Sequence, residues 1–214
     1  MQHSPENFLL LKVEKRDKIL NAALTAFSDK GYDLASTNAI VKAAGISKGA
    51  LFHYFESKKA LFLFLCDYAF DTVRREFYEQ IGHCDGDLLT RYSRAARLKG
   101  AVYLRYPMLF AFIRRLTQEK SADIAPQLEE KLYRQSTLGY QYLLESLDTA
   151  LFRPDVPADK IQELIVWALE NYGIRSLKMV GDKKLEEIDT DAINADFDEY
   201  VKILRKCFYR QEEK

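Results

Sequence analysis

Apolar residues recur along this chain at spacings of three and four, the period of a helix with one buried face. Ile19, Leu20, Ala23, Leu24 and Phe27 form a first stripe that stops at Gly31, and Ser4, Pro5 and Glu6 precede it as a cap with proline in an opening turn. Ile40, Val41 and Ala44 define a short helix capped by Thr37, after which Gly45 supplies a left-handed turn. Ser47 caps the next helix, which turns Leu51 and Phe55 inward and leaves Lys48, Ala50, His53 and Tyr54 outward. From Ser57 the pattern of Leu61, Phe64, Leu65, Tyr68, Val73 and Phe77 runs without a breaker to Ile81, which predicts one long rod. Gly82 and Gly86 end that rod, Pro107 breaks the next helix, Pro126 starts another, and the run from Arg153 to Pro157 reads as a loop. The closing helices are expected at about 157–180 and 190–211. Their stripes are Ile161, Leu164, Ile165, Ala168 and Tyr172, then Ile193, Phe197, Val201, Leu204 and Phe208. No strand-like alternation, internal repeat or glycine-rich nucleotide loop interrupts this, so the predicted class is all-α with about nine helices.

A short helix, a tight glycine corner and a second helix with a buried heel and a polar leading end have the shape that enters a DNA major groove. Gly49 carries no side chain and lets the start of that second helix approach a phosphate, where free amides already favour an anion. Lys48 adds a mobile cation beside them, and Ser57 with Lys58 offers a second cap and a second cation for the backbone across the groove. Between residues 36 and 60 the charged side chains are Lys42, Lys48, Lys58 and Lys59 against Glu56, a sign that suits nucleic acid.

Thr37, Ile40, Ala44, Gly45, Ile46, Ser47, Gly49, Leu51, Tyr54, Phe55, Ser57, Lys58 and Leu61 stand in the register of the TetR family of bacterial transcriptional regulators, which this segment resembles. The upstream KRDKILNAALTAFSDKGYDLAST resembles that family's first helix, so the likeness covers about the first third of the chain. Phe52 replaces a tyrosine whose hydroxyl would reach a phosphate, Val41 replaces an alanine at the helix crossing, and Lys59 replaces a glutamate. The resemblance implies a DNA-binding head over residues 1–56 and an effector-binding and dimerisation body over 57–214. It implies DNA contacts from Thr37, Ser47, Lys48, Gly49, Ala50, Phe52, His53, Tyr54 and Lys58. The last two helices would form a four-helix bundle with their twins through Ile161, Leu164, Ile165, Ala168, Tyr172, Phe197, Val201, Leu204 and Phe208. Periodicity equally allows both stripes to face the same subunit's core.

Composition sharpens this. The 32 basic and 32 acidic residues cancel, so only one face is expected to meet DNA. Acid gathers far from the reading head: between Asp182 and Tyr200 there are eight acidic residues. Between Leu88 and Gln118 there is none, while Arg91, Arg94, Arg97, Lys99, Arg105, Arg114 and Arg115 are present. Such a run is commonly a solvated face, and the sharper reading is an anionic effector held by one of these arginines. Mid-chain aromatics suit an apolar pocket, and Tyr103, Phe110, Arg114, Tyr140 and Trp167 are the candidate ligand residues. Cys66, Cys84 and Cys207 are widely spaced, and His83 beside Cys84 lacks ligand spacing, so neither a disulfide framework nor a metal or other cofactor is expected. Neither Phe8–Leu11 nor Leu61–Cys66 approaches the ~20 residues of a membrane span, and a cytoplasmic location is expected. An enzyme would need a nucleophile with its base, and the three histidines are scattered. The expected protein is therefore not an enzyme but a ligand-released repressor binding a palindromic operator as a homodimer. An activator, or an interaction module that has lost its operator, is the alternative.

Overall fold

The computed structural model describes residues 5–81, 86–144, 147–180 and 187–211. The Ser4 cap, the Gly82 break, the His83–Cys84 pair and the start of the acidic run lie outside the described residues. The chain forms α1 (Pro5–Leu9), α2 (Val13–Leu34), α3 (Thr37–Ala44), α4 (Lys48–Tyr54) and α5 (Lys58–Val73). A π-helical stretch at Arg74–Tyr78 and α6 (Glu79–Ile81) follow. Then come α7 (Leu88–Arg105), α8 (Pro107–Leu116), α9 (Ala125–Leu144), α10 (Ala158–Val180) and α11 (Thr190–Phe208). The all-α class is as the periodicity indicates; among the described residues the only extended pairing is an isolated bridge between Phe152 and Tyr209.

Of two expectations about breakers, one is modified and one holds. The rod from Ser57 does run to Ile81, but through a widened turn at Arg74–Tyr78 that no glycine or proline announces. Gly31 does end the regular helix where the stripe stops: it sits at φ 70 and ψ 179, and only beyond this kink does the chain resume helical geometry to Leu34. A β-carbon there would meet the Arg115 guanidinium, the movable end of a long side chain, so it is the positive φ that reserves the position for glycine.

The chain packs as two compact units. The first comprises Met1–Arg74 with Arg105–Thr137, the second Arg75–Leu104 with Leu138–Lys214. A head ending at residue 56 is thus not how the packing divides, because α8 lies on α2 and α5 and joins the amino-terminal helices. In the first unit Ile19, Leu20, Ala23, Leu24 and Phe27 of α2 are buried with Phe62 and Leu65 of α5 and Leu109, Phe112 and Leu116 of α8. Phe62 is its aromatic hub, edge-on to Phe27 at 5.1 Å and to Phe112 at 5.5 Å. Cys66 is buried there, and burial pushes its thiol up to about 12, so it is a packing residue rather than a nucleophile.

The second unit is built around Leu88, Leu89 and Tyr92 of α7, Phe152, and Ile161, Ile165, Leu169 and Tyr172 of α10. This corrects the interface expectation. Ile161, Ile165, Tyr172 and Phe197 are buried in the chain's own core, and Val201, Leu204 and Phe208 pack against it. An apolar stripe serves whichever apolar surface it meets first, and here α7 and the Phe152 loop belong to the same chain. Ala168 is half-buried, and Leu164 alone of the predicted interface residues is exposed.

Candidate nucleic-acid interface

Three serines set the local geometry. Ser36, Ser47 and Ser57 each have extended backbone and accept the amide of the residue three ahead, Ala39, Ala50 and Ala60, at 3.5, 3.1 and 3.0 Å. The first corrects the expected cap: Thr37 is the first helical residue, half-buried, and Ser36 holds the cap conformation. Gly45 closes α3 at φ 68 and ψ 34, while Ile46 N–H reaches Val41 carbonyl at 3.0 Å, a Schellman corner that aims α4 away from α3. Leu51 of α4 and its capping Phe55 are buried, as are Ile40, Val41 and Ala44 of α3, so the two helices share one apolar heel.

The outward face of α4 carries Lys48, Gly49 and His53 exposed, with Ala50, Phe52 and Tyr54 half-buried. Lys48 Nζ lies 5.9 Å from the Phe52 ring, which keeps the cation on the helix face that also bears Gly49. A β-carbon at Gly49 would meet nothing nearer than Ser47 Oγ at 4.0 Å. Among the described residues nothing crowds that position, so the helix start is open at Gly49. His53 is edge-on to Tyr54 at 5.1 Å. The description of Tyr54 as an outward residue is only half right, because its other face meets the Phe8 ring at 5.8 Å.

Lys58 and Lys59 are less free than their sequence position suggests. Lys58 Nζ donates to the Asp33 carbonyl at 2.9 Å and stands 4.8 Å over the Tyr32 ring. Lys59 Nζ donates to both the carbonyl and the carboxylate of Asp123. The same loop receives Tyr32 Oη, which donates to Asp123 at 2.5 Å, and Ser121 Oγ donates to Asp33 at 2.7 Å. Burial, then the hydrogen bond to Asp123 and its charge, push the Tyr32 phenol well above its ordinary value, while Tyr32 and Lys59 hold the Asp123 carboxyl below its own. Lys42 and Lys48 are the exposed lysines of the α3–α4 pair, so the accessible positive charge sits in the last turn of α3 and at the leading end of α4. Sequence reasoning missed the hold on Lys58 and Lys59, because Asp33 and Asp123 lie far from them along the chain.

The candidate ligand residues fall in both compact units. Tyr103 is half-buried in the second unit, Phe110 is half-buried and Arg114 exposed in the first, and the side chain of Tyr140 lies outside the described residues. Trp167 is 58% exposed on α10, which corrects its assignment to a pocket: it lies off the buried stripe and on the outer face. A cavity of about 440 Å³ in the second unit is lined by residues including Phe152, Arg153, Asp155 and Arg210, and includes none of these candidates. Its arginines are engaged, Arg153 with Asp155 at 2.6 Å and Arg210 with the Phe152 carbonyl at 3.1 Å. Of the arginine run, Arg97 is paired with Asp198 at 2.9 Å, as a solvated face paired with the acidic segment would be. Among the described residues no cluster of histidine, cysteine and carboxylate could hold a metal, and no helix is long and apolar enough to cross a membrane.

Residues 19–65 match the family described as bacterial regulatory proteins, tetR family. Over 47 residues, 22% of this chain, the sequence is 43% identical to the biofilm operon icaADBC HTH-type negative transcriptional regulator IcaR of Staphylococcus aureus (strain Newman). The chain spans a quarter or less of the length of the curated relatives it matches. The fold as a whole is similar to a TetR family transcriptional regulator from Chloroflexus aurantiacus J-10-FL, with a TM-score of 0.65, 18% identity, and 96% and 98% of the two chains covered. It is also similar to the transcriptional regulator FadR from Bacillus subtilis in complex with stearoyl-CoA, with a TM-score of 0.62, 14% identity, and 88% and 96% covered.

Proposed function

We propose that this chain, whose amino-terminal domain belongs to the tetR family of bacterial regulatory proteins, regulates transcription by binding an operator as a homodimer and leaving it when a small molecule binds. The observation that carries the reading is the leading end of α4: a capped helix start with an exposed lysine and an exposed glycine that leaves the start open to close approach. Free amides and Lys48 meet the phosphate, while His53 and the exposed edge of Tyr54 face base edges. Thr37, Ser47, Ala50 and Phe52 complete the contact surface, the Phe52 ring without the hydroxyl of a tyrosine. Lys58 exchanges the Asp33 carbonyl for a phosphate when DNA arrives, its ammonium already lying at the surface.

The dimer is assigned to the outer faces of α10 and α11, not to the stripes that the core consumes. Leu164, Trp167 and Ile174 are exposed at helical spacing on α10, and Ile203 is exposed on α11. Two copies are needed because a single short reading helix binds weakly, and two-fold proteins read half-sites about 34 Å or a multiple apart. The division of labour remains that of a reading head in residues 1–56 and a regulatory body in 57–214. FadR with stearoyl-CoA supports a small-molecule effector with an anionic part, which the arginines between Leu88 and Gln118 suit. Release requires only that the effector bind the non-reading arrangement better, by its differential affinity. IcaR, a negative regulator, supports repression.

A gel-shift titration against upstream genomic DNA at several salt concentrations tests the reading. Expected is a sequence-preferring complex whose log affinity falls with log salt by about 0.9 per phosphate contact. Binding that ignores sequence, or none at modest salt, leaves the fold without this function.

A further inference from the structure

We propose that Phe8 is a positioning residue for the reading helix: the short α1 plugs its ring behind Tyr54 and thereby sets where Tyr54 and His53 point. This rests on the reading of α4 as the element that meets base edges. Phe8 is fully buried although it sits in a five-residue helix at the amino end. Its ring packs at 5.8 Å on Tyr54, 5.0 Å on Phe55 and 5.4 Å on Phe64. Tyr54 passes the contact on, edge-to-face at 5.1 Å, to the exposed His53. One apolar residue from outside the α3–α4 pair therefore stands behind both side chains assigned to base reading.

The need for such a buttress follows from the size of α4. Seven residues make barely two turns, and Leu51 is the residue within them that is buried outright, with Phe55 buried at the cap. One anchor permits roll about the helix axis, and a second contact on the Tyr54 side removes it. α1 packs directly on α4, its last turn is closed by Leu11 N–H on the Phe8 carbonyl at 3.2 Å, and Arg16 of α2 donates to the Leu9 carbonyl at 3.3 Å. α1 is thus tied to the body of the head and can hold a register. The family match begins at residue 19, so this element lies outside the part of the chain that the family describes.

The test compares Phe8→Ala and Phe8→Leu with the unaltered full-length protein in two measurements. Amide exchange in the DNA-free protein is expected to rise about tenfold across Leu51–Phe55 in Phe8→Ala while Ile40–Ala44 of α3 is unchanged, and to return most of the way in Phe8→Leu. Selection from random duplexes is expected to show Phe8→Ala losing about tenfold in preference at the bases read by His53 and Tyr54, with the salt slope retained. Equal acceleration in α3 and α4, or an unaltered preference profile beside a lowered melting temperature, reduces Phe8 to a core residue and overturns the proposal. Should the unaltered protein select no sequence, the operator reading fails, and the exchange contrast between α3 and α4 alone then decides whether Phe8 positions the helix.

Discussion

Gly45 and Gly49 stand four positions apart in different backbone conformations. Gly45 is held at φ 68 with open space around it, so alanine there costs backbone strain, about 1 kcal/mol, and lowers the urea midpoint. Gly49 has helical backbone and equally open space, so Gly49→Ala is expected to stabilise the free protein by up to about 1 kcal/mol while weakening DNA binding severalfold. Denaturation and a binding isotherm on the same preparation check both halves, and a stabilised variant with full affinity would remove the phosphate role. Lys58→Ala should weaken all duplexes alike and flatten the salt slope by about 0.9 for each lost phosphate, whereas His53→Ala should change which sequence is preferred. Much of this was legible: serine caps, the glycine corner and the apolar heel are written in residues three or four apart. Ser36 displaced Thr37 as the cap because neighbouring residues were both competent, and the half-burial of Tyr54 was hidden because its cover, Phe8, comes from a distant segment.

At the scale of elements, the start of α7 is held by a network that no local motif announced. Asp87 accepts from Tyr209 Oη at 2.9 Å, from Thr90 Oγ1 at 2.9 Å and from Arg205 at 3.0 and 3.1 Å, and caps the amides of Leu89 and Thr90. Burial pushes the Asp87 carboxyl up, but the hydrogen bonds from Tyr209, Thr90 and Arg205 outweigh it and hold it below the usual carboxylate range. A depressed carboxyl contributes stability above the ordinary carboxylate value and loses it as pH falls through its own. Asp87→Ala is therefore expected to cost about 3 kcal/mol at neutral pH, with the deficit shrinking below about pH 4, read by urea denaturation across pH. A deficit independent of pH would mean that packing, not the charge, is what Asp87 supplies. The reason this was not legible is separation: Asp87 and Tyr209 lie at opposite ends of the second unit's sequence, and periodicity carries no information on such pairs. The helix boundaries of α10 and α11 were legible, since Pro157 and the polar run before Thr190 bound them.

For the whole molecule, the stripes on α10 and α11 marked apolar faces without saying whose core they entered. Ile161 and Ile165 went to the chain's own, while Leu164, Trp167 and Ile174 are exposed and carry the proposed dimer contact. Leu164→Glu and Trp167→Glu are expected to shift sedimentation from dimer to monomer with helicity retained, while Ile161→Ala costs about 3 kcal/mol of folding stability. A dimer that tolerates both glutamates would place the interface elsewhere. Every step of the proposed function depends on paired α4 helices that read duplex DNA. Selection of the purified full-length protein against random duplexes tests this most directly: the account predicts enrichment of a palindrome with half-sites about 34 Å or a multiple apart. Recovery of sequences no different from the starting pool would contradict it.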